Sequence, residues 1–549
     1  MRTKLSVPKL LNYESSEDEF VTLYGIDNVF DHTYHPQSSS ETGGQTYFSF
    51  NPLSTETIMD RLILLECNVA IESSMGNNAG TVNPFGRLCP TSWPLNNAIR
   101  TLEVRINGSS LTSHPRQWKT VFERLHTNEE LRKKFQSYTP TFRDNHVDYF
   151  RMAQEKICDC PFSLLNHCKT DEIPRSEWPH EVGSREFTPA TAAVNAAVNT
   201  TAPPTLVSLA VVGNTPKYVY KFTEPLLIDL LETVKSSGIH NVNKVEIIIT
   251  WMNNIFDCMF SDPRSITAIA VAAGEETITT AALDVTAFNH TLNVSSGSNT
   301  PATANLRNTS LVYNTMRAGL RINEQKLLVR YAKPVNSPSS SLTLPYHETK
   351  VYNIQGSATD KTLYLPLIKE TVAPRYGIVH VKRRKAILGD IVVADSCYRI
   401  NKLNLQVNDQ VGVLSNMSRQ KLWNMSTKNG LDCSWVDWDR YGDSIVIFEF
   451  GNDIGGIIPS IVGQFSLQLQ VDFENQYKTV YGAELNYIPE LELFLIFEGE
   501  VEITPDALRK KIGYTREELA KNSETIYSLH NEPKVGGSLK TNSFIKPNF

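Results

Sequence analysis

Ile400-Asn-Lys-Leu403-Asn-Leu405-Gln-Val407-Asn408-Asp409 is the stretch whose reading decides the fold. Leu403, Leu405 and Val407 alternate with polar residues, the period of a half-buried strand, and the Asn-Asp pair that follows is a hairpin-turn signal. The same signature stands earlier in the chain, as Ile99-x-x-Leu102-x-Val104-x-Ile106-Asn107-Gly108. Further on, Leu111-Thr112-x-x-x-Arg116-Gln117 matches Leu414-Ser415-x-x-x-Arg419-Gln420 after a two-residue shift. Each block reads as a strand, a tight turn, a second strand and a polar helix start. A period of roughly 300 residues is too long for a solenoid and fits one domain type used twice. The competing explanation is that strands of period two resemble one another anyway.

Working outward, further strands are expected at 206–212, 217–222, 244–251, 266–272, 326–332, 362–368, 376–382, 391–394, 444–450, 464–473 and 491–500. Many short strands with Gly, Pro, Asn and Asp punctuation read as sandwiches or barrels. Helices are few: one over 128–137, and one from Thr515, where Glu518 completes a capping box. Residues 187–205 and 275–310, rich in Ala, Thr, Ser and Asn, read as long surface loops, and Pro334 to Pro345 as another. The expected organisation is a flexible acidic N-terminal arm (1–44), a first module with long loop insertions (45–315), a second module (316–502) and a C-terminal arm (503–549), with the split near 310–320. Ile526, Tyr527, Leu529, Phe544, Ile545 and Phe549 recur along that last arm, more than a solvated linker needs.

The chain has 549 residues, 41% hydrophobic and 20% charged, the balance of a globular protein rather than a disordered one. Cys67, Cys89, Cys158, Cys160, Cys168, Cys258, Cys397 and Cys433 are too scattered for a secreted disulfide framework. Neither a leader-like run nor a stretch of about 18 apolar residues is visible, so a reducing compartment and no membrane insertion are expected. Asn-x-Ser/Thr matches such as Asn107, Asn199 and Asn416 are read as chance. Net charge is −6, and the first 44 residues set Arg2, Lys4 and Lys9 against seven acids. A protein that condensed nucleic acid directly would want a basic arm, so strong direct nucleic-acid binding is not expected.

Three clusters could carry chemistry. Cys158-x-Cys160 with His167-Cys168 could supply zinc ligands, but the one-residue gap is poor for zinc, and reduced, partly buried cysteines are the preferred reading. Trp435-Val-Asp437-Trp438-Asp439-Arg440 could be a sugar platform or half of a glycosidase acid/base pair. The preferred reading is a loop at a domain edge. Lys382-Arg383-Arg384-Lys385 is either a nuclear-import signal or polyanion contact, or a solvated strand end or interface salt-bridge set. Phosphate loops, H-E-x-x-H and G-x-S-x-G are absent from the sequence. No catalytic, cofactor-binding or metal-binding residue is assigned, and the chain is not expected to be an enzyme.

Residues 390–475 carry a family resemblance. Ile400 to Val407, then Gly412-Val413-Leu414-Ser415, then Gln420-Lys421-Leu422-Trp423-Asn424-Met425-Ser426-x-x-Asn429-Gly430, is similar to the second jelly roll of double jelly-roll major capsid proteins of DNA viruses. So are Ser444-Ile445-Val446, Phe450-Gly451-Asn452-Asp453-Ile454 and Gly463-Gln464-Phe465-Ser466-Leu467-Gln468-Leu469. The Polinton, adintovirus and virophage-like lineages are the ones it resembles. Pro94-Leu95-Asn96-Asn97, and Pro225-Leu226-Leu227 with Gly238-Ile239-x-Asn241-Val242, extend the likeness in style over most of 45–505. One departure is that the Pro-Gly before the last strand appears only as Pro459-Ser460-Ile461-Val462-Gly463.

The resemblance implies an all-β fold of two tandem eight-stranded jelly-roll sandwiches with long loops and few short helices. It implies a structural major capsid protein, a homotrimer forming pseudo-hexagonal capsomers that tile an icosahedral shell. Its partners would be its own copies, then penton and minor capsid proteins, and its location the virion. The competing function is a carbohydrate-binding or carbohydrate-cleaving β-sandwich such as a viral receptor-binding spike.

Overall fold

The computed structural model describes residues 26–40, 44–54, 56–72, 88–125, 133–141, 180–182, 217–231, 238–252, 259–261, 266–272, 275–280, 320–335, 340–385, 397–440, 442–474 and 487–518. In chain order the first half supplies β1 (Ile26–Tyr34), β2 (Gln45–Phe50), β3 (Ile58–Asp60), β4 (Leu64–Glu72), β5 (Leu88–Pro90), α1 (Pro94–Ala98), β6 (Ile99–Ile106), β7 (Ser109–Ser113), α2 (Pro115–Phe122), β8 (His180–Val182) and β9 (Lys217–Pro225). It continues with β10 (Gly238–Ile239), β11 (Val245–Trp251), β12 (Met259–Ser261), β13 (Ile266–Ala272), β14 (Glu275–Thr280) and β15 (Leu320–Pro334). The second half supplies β16 (Leu342–Gln355), β17 (Thr362–Val372), β18 (Tyr376–Lys385), β19 (Arg399–Val407), β20 (Gln410–Val413), α3 (Arg419–Lys428), α4 (Trp435–Arg440), β21 (Ile445–Glu449), β22 (Val462–Glu474), β23 (Tyr487–Thr504) and β24 (Ala507–Ile512).

Two pairs of antiparallel sheets result, and they correspond strand for strand. In the first module β2-β11-β6-β7 faces a sheet whose heart is β1-β15-β4-β9. In the second, β17-β22-β19-β20 faces β16-β23-β18-β21. With the eight strands of each module lettered B to I in chain order, both modules read C-H-E-F against B-I-D-G, which is the jelly roll. The two sequence blocks that looked like repeats are therefore the same pair of strands, E and F, in two copies. Alternation supplies the cores. Val245, Ile247, Ile249 and Trp251 of β11 point inward in one module, and Phe465, Leu467, Leu469, Val471 and Phe473 of β22 in the other.

The duplicated turn repeats down to its hydrogen bonds. Asn107 and Asn408 both adopt positive φ, at 49° and 50°. The Asn107 N–H donates to the Lys244 carbonyl (3.0 Å) and its Oδ1 accepts from Asn243 N (2.8 Å). The Asn408 N–H donates to Ser466 O (2.9 Å) and its Oδ1 accepts from Ser466 N (2.8 Å). Asn tolerates the left-handed region because its side chain can bond locally. The two-residue slip between the sequence blocks has a partial cause: β20 bulges between its pairings with Leu405 and Val407, adding one residue.

Several boundaries differ from the sequence reading. Strand I of the first module runs to Pro334, pairing with β1, β3 and β4, so chain assigned to a second module beginning at 316 lies in the first module's sheet. Strand B lies within 1–44, where only an arm was expected. Residues 503–512 are not an arm either: β24 pairs with β23 from Gly499 to Thr504. Gly499 is needed there, since a Cβ would lie 2.1 Å from the Lys511 carbonyl oxygen. Residues 275–280, expected as loop, form β14 against β13. For strands B and I the cross-strand partner lies hundreds of residues away and propensity cannot reveal it, whereas β24 and β14 pair with the strand just before them. Of the helix expected over 128–137, residues 133–135 are helical and 126–132 lie outside the described residues, as do 206–212, 391–394, 187–205 and the tail from 519. The capping box holds: Thr515 N donates to Glu518 Oε2 (2.9 Å) and Glu518 N to Thr515 Oγ1 (3.3 Å).

Candidate functional site

The seam between the two modules holds the densest buried polar chemistry described in the chain, and α2 builds much of it. Pro115 opens that helix, where its missing N–H costs no bond. The helix then lays Trp118 on Phe494 of β23, with ring centroids 5.5 Å apart. Just beyond its end Arg124, fully buried, places Nε 2.6 Å from Asp443 Oδ1 of the second module and donates from Nη1 to Thr120 O (3.0 Å). Lys119 and Glu123 are buried beside it, 3.9 Å apart. The backbone closes the same contact: Asp432 N donates to Arg124 O (2.8 Å), and Leu125 bridges to Leu431.

A second polar group lies under Arg116 on the outer face of the second module's B-I-D-G sheet. His380 Nε2 lies 2.9 Å from Glu492 Oε2, and Lys382 Nζ 3.7 Å from Glu492 Oε1. Burial alone would raise the Glu492 carboxyl, but Lys382, His380 and Arg116 together hold it below the usual range. Beside them a cleft is lined by His114, Trp118, Asp229, His347 and Thr349. Asp229 accepts from Thr349 N (3.1 Å) and from Thr349 Oγ1 (3.3 Å) across the seam. By area Asp229 is only partly buried, yet protein surrounds it closely enough that desolvation pushes its carboxyl up to about 7.

At the far end of the seam the first module's E–F turn docks on the β23–β24 turn. Asn107 Nδ2 donates to Thr504 O (2.7 Å), Ser109 Oγ to Leu508 O (2.6 Å), and Lys510 Nζ to Ser110 O (3.2 Å). Leu344, Tyr346, Val501, Ile503 and Leu508 of the second half are buried in one cluster with the first module's core. Among the described residues the seam is built of buried ion pairs, backbone bonds and shared apolar packing. It is a rigid joint between two stiff sandwiches.

Residues 348–490 match the family model of the major capsid protein V20 C-terminal domain. The putative capsid protein V20 of Sputnik virophage is 22% identical over 94% of this chain and 80% of its own length. The 3.5 Å cryo-EM structure of the Sputnik virophage contains a chain of similar fold, at a TM-score of 0.66, 19% identity and coverage of 94% of this chain and 92% of that one. The mavirus major capsid protein matches at 0.59, with 13% identity over 89% of this chain and 92% of its own. The chain shares the double jelly-roll fold of these capsid proteins, and its residues 348–490 resemble the V20 C-terminal domain in sequence.

In this double jelly-roll fold the clusters singled out in sequence take structural places. Trp435–Arg440 is the helix α4, not a loop. Ser434 caps it, exchanging bonds with Asp437 (Oγ to Oδ2 2.6 Å; Asp437 N to Oγ 3.1 Å), and Asp439 pairs with Arg419 at 2.6 Å. Trp438 is fully buried and donates to Ile445 O at 2.8 Å. The two acids thus serve separate local partners and do not face each other across a sugar-sized gap. Lys382–Lys385 forms the end of strand D, with Lys382 buried against Glu492. Cys158, Cys160, His167 and Cys168 lie outside the described residues, and no metal-ligating cluster occurs among the described ones. The seam itself escaped the sequence reading. Its one advance signal was a run of charges, Arg116, Lys119, Glu123 and Arg124, set among apolar residues along α2 and just beyond its end.

Proposed function

We propose that this chain is a structural major capsid protein whose copies trimerise into pseudo-hexagonal capsomers and tile an icosahedral shell, with the virion as its place of work. The observation that carries this reading is the strand-for-strand duplication joined by a buried seam. Two equivalent wedges per chain, taken three times about one axis, give six, and one heterologous contact repeated by rotation closes such a ring. Capsid proteins of similar sequence and fold support the assignment. Mass measurement by light scattering should give three times 61.7 kDa, and negative-stain images should show hexagonal tiles. A stable monomer with glycan affinity would instead favour the spike reading, which no described feature supports.

The modules divide between 335 and 340 in this reading, and penton and minor capsid proteins would be the further partners. Catalysis plays no part. Screens against glycan, ester and nucleotide substrates should stay blank, and a turnover abolished by Asp437→Asn or Asp439→Asn would sink that statement. Residues 519–549 act as an assembly arm that docks under its own tile or reaches a neighbour. Because β24 belongs to the sheet, the test is truncation after 518, not after 502. Trimers should form normally while shells form poorly, and shells at normal yield would refute the arm.

A further inference from the structure

Within one chain, strand F and the E–F turn of the first module meet the second module. Among the described residues, the equivalent surface of the second module touches only its own module, where Gln410 Nε2 donates to Gly455 O (3.3 Å). The Asn107 amide donates to Thr504 O and Asn241 O, whereas the Asn408 Nδ2, on a turn with the same internal bonds, donates to no described residue. Counted from the turn, Val411 stands where Ser110 stands, and Ser110 O is held by Lys510 across the seam. Val411 is 74% exposed, an apolar side chain in open view beside that amide.

The receiving side shows the complementary pattern. The first module's turn docks at the end of strand I and the start of β24 in the second module. The end of strand I in the first module is Pro334-Val335, and Val335 is 66% exposed. The register places these ends in correspondence. Strand D begins opposite Leu328 in one module and opposite Ile496 in the other, so Val335 answers to Ile503, which is buried in the seam cluster. Val29 on strand B, 48% exposed, lies along the same sheet. Each module thus has a donor face and an acceptor face, and one of each is occupied within the chain.

We propose that the Asn408–Val413 face of the second module docks on the Val335 end of the first module in a neighbouring copy, repeating between copies the contact that Asn107–Ser113 makes within one. The occupant is a second copy of this chain because the free donor and free acceptor are duplicates of a pair already joined. Isolated exposed apolar side chains are ordinary, but here both ends of one expected contact are exposed together. The inference rests on the trimer reading and names the surface that makes it.

The test is the mass of Val411→Glu and Val335→Glu, made separately in the full chain, by light scattering over a dilution series. Tyr364→Glu, on the exposed side of β17, is the control. Burying an unpaired carboxylate at the contact should raise the concentration for half-dissociation by on the order of a hundredfold or more, with the melting of the monomer unchanged. Asn408→Ala should shift it by about tenfold or less. Trimers of wild-type strength from both Glu variants would overturn the proposal while leaving the trimer intact. A wild-type protein that is monomeric at every concentration would instead overturn the assembly reading beneath it. Were either Glu variant to misfold, Val411→Ser and Val335→Ser decide: weakened trimers support the contact, unchanged ones remove it.

Discussion

The described segments just after strand F differ between the modules. In the first, α2 leaves its own sandwich: Trp118 covers Phe494 of the other module and Arg124 reaches Asp443. In the second, α3 folds back on its own strand G. Ser426 Oγ accepts from Ile447 N (3.0 Å) and Asn429 Nδ2 donates to Ile447 O (3.0 Å), leaving all of Ile445–Glu449 buried between core and helix. The same strand-turn-strand-helix unit serves once as a joint and once as a lid. Duplication supplies two equivalent parts, and divergence of one helix face makes them cohere as a pair.

Breaking the joint should have the largest effect. Arg124→Ala removes the ion pair with buried Asp443 and should cost about 3–5 kcal/mol in denaturant unfolding, whereas Arg124→Met with Asp443→Leu should recover much of it. A loss under 1 kcal/mol for the single change would mean the pair is not desolvated. Arg419→Ala in the second module, whose Asp439 pair is partly exposed, should cost well under half as much.

The next effect is a pH dependence. Asp229 is raised in the folded state from 3.8 to about 7, so the folded chain holds a proton that the unfolded chain has lost between those values. Stability should therefore fall as pH rises from about 4 to about 7, by on the order of 1 kcal/mol per unit, and level off above. Glu348 presses the same way, and Lys510 opposes it. His114 and His347 also line the cleft, so the difference between wild type and Asp229→Asn is the quantity to measure. Parallel pH curves for the two proteins would show that folding leaves this carboxyl at its ordinary value.

The smallest effect sharpens the comparison of turns. Asn107→Ala removes both the internal bonds and the donor to Thr504, and should destabilise by about 1–3 kcal/mol in thermal melts of dilute protein. Asn408→Ala removes only the internal set and should cost about 1 kcal/mol or less under the same conditions. Equal losses would mean the seam bond adds nothing.

The alternation of Leu403, Leu405 and Val407, and of Leu102, Val104 and Ile106, with a turn residue after each, was enough to mark two equivalent hairpins and an all-β fold, because period two admits one buried face. The capping box at Thr515 was equally legible, since every atom it needs lies within four residues. Local pattern was silent where the partner is remote. It could not place Leu320–Pro334 in the first sheet, beside β1, β3 and β4. Ala507–Ile512 and Trp435–Arg440 have near partners in Gly499–Thr504 and Ile445, and were missed because neither carries a regular apolar period. It could not tell Arg124 from any solvated arginine. A charge becomes a joint only when folding brings Asp443, 319 residues on, to 2.6 Å and removes the water from both.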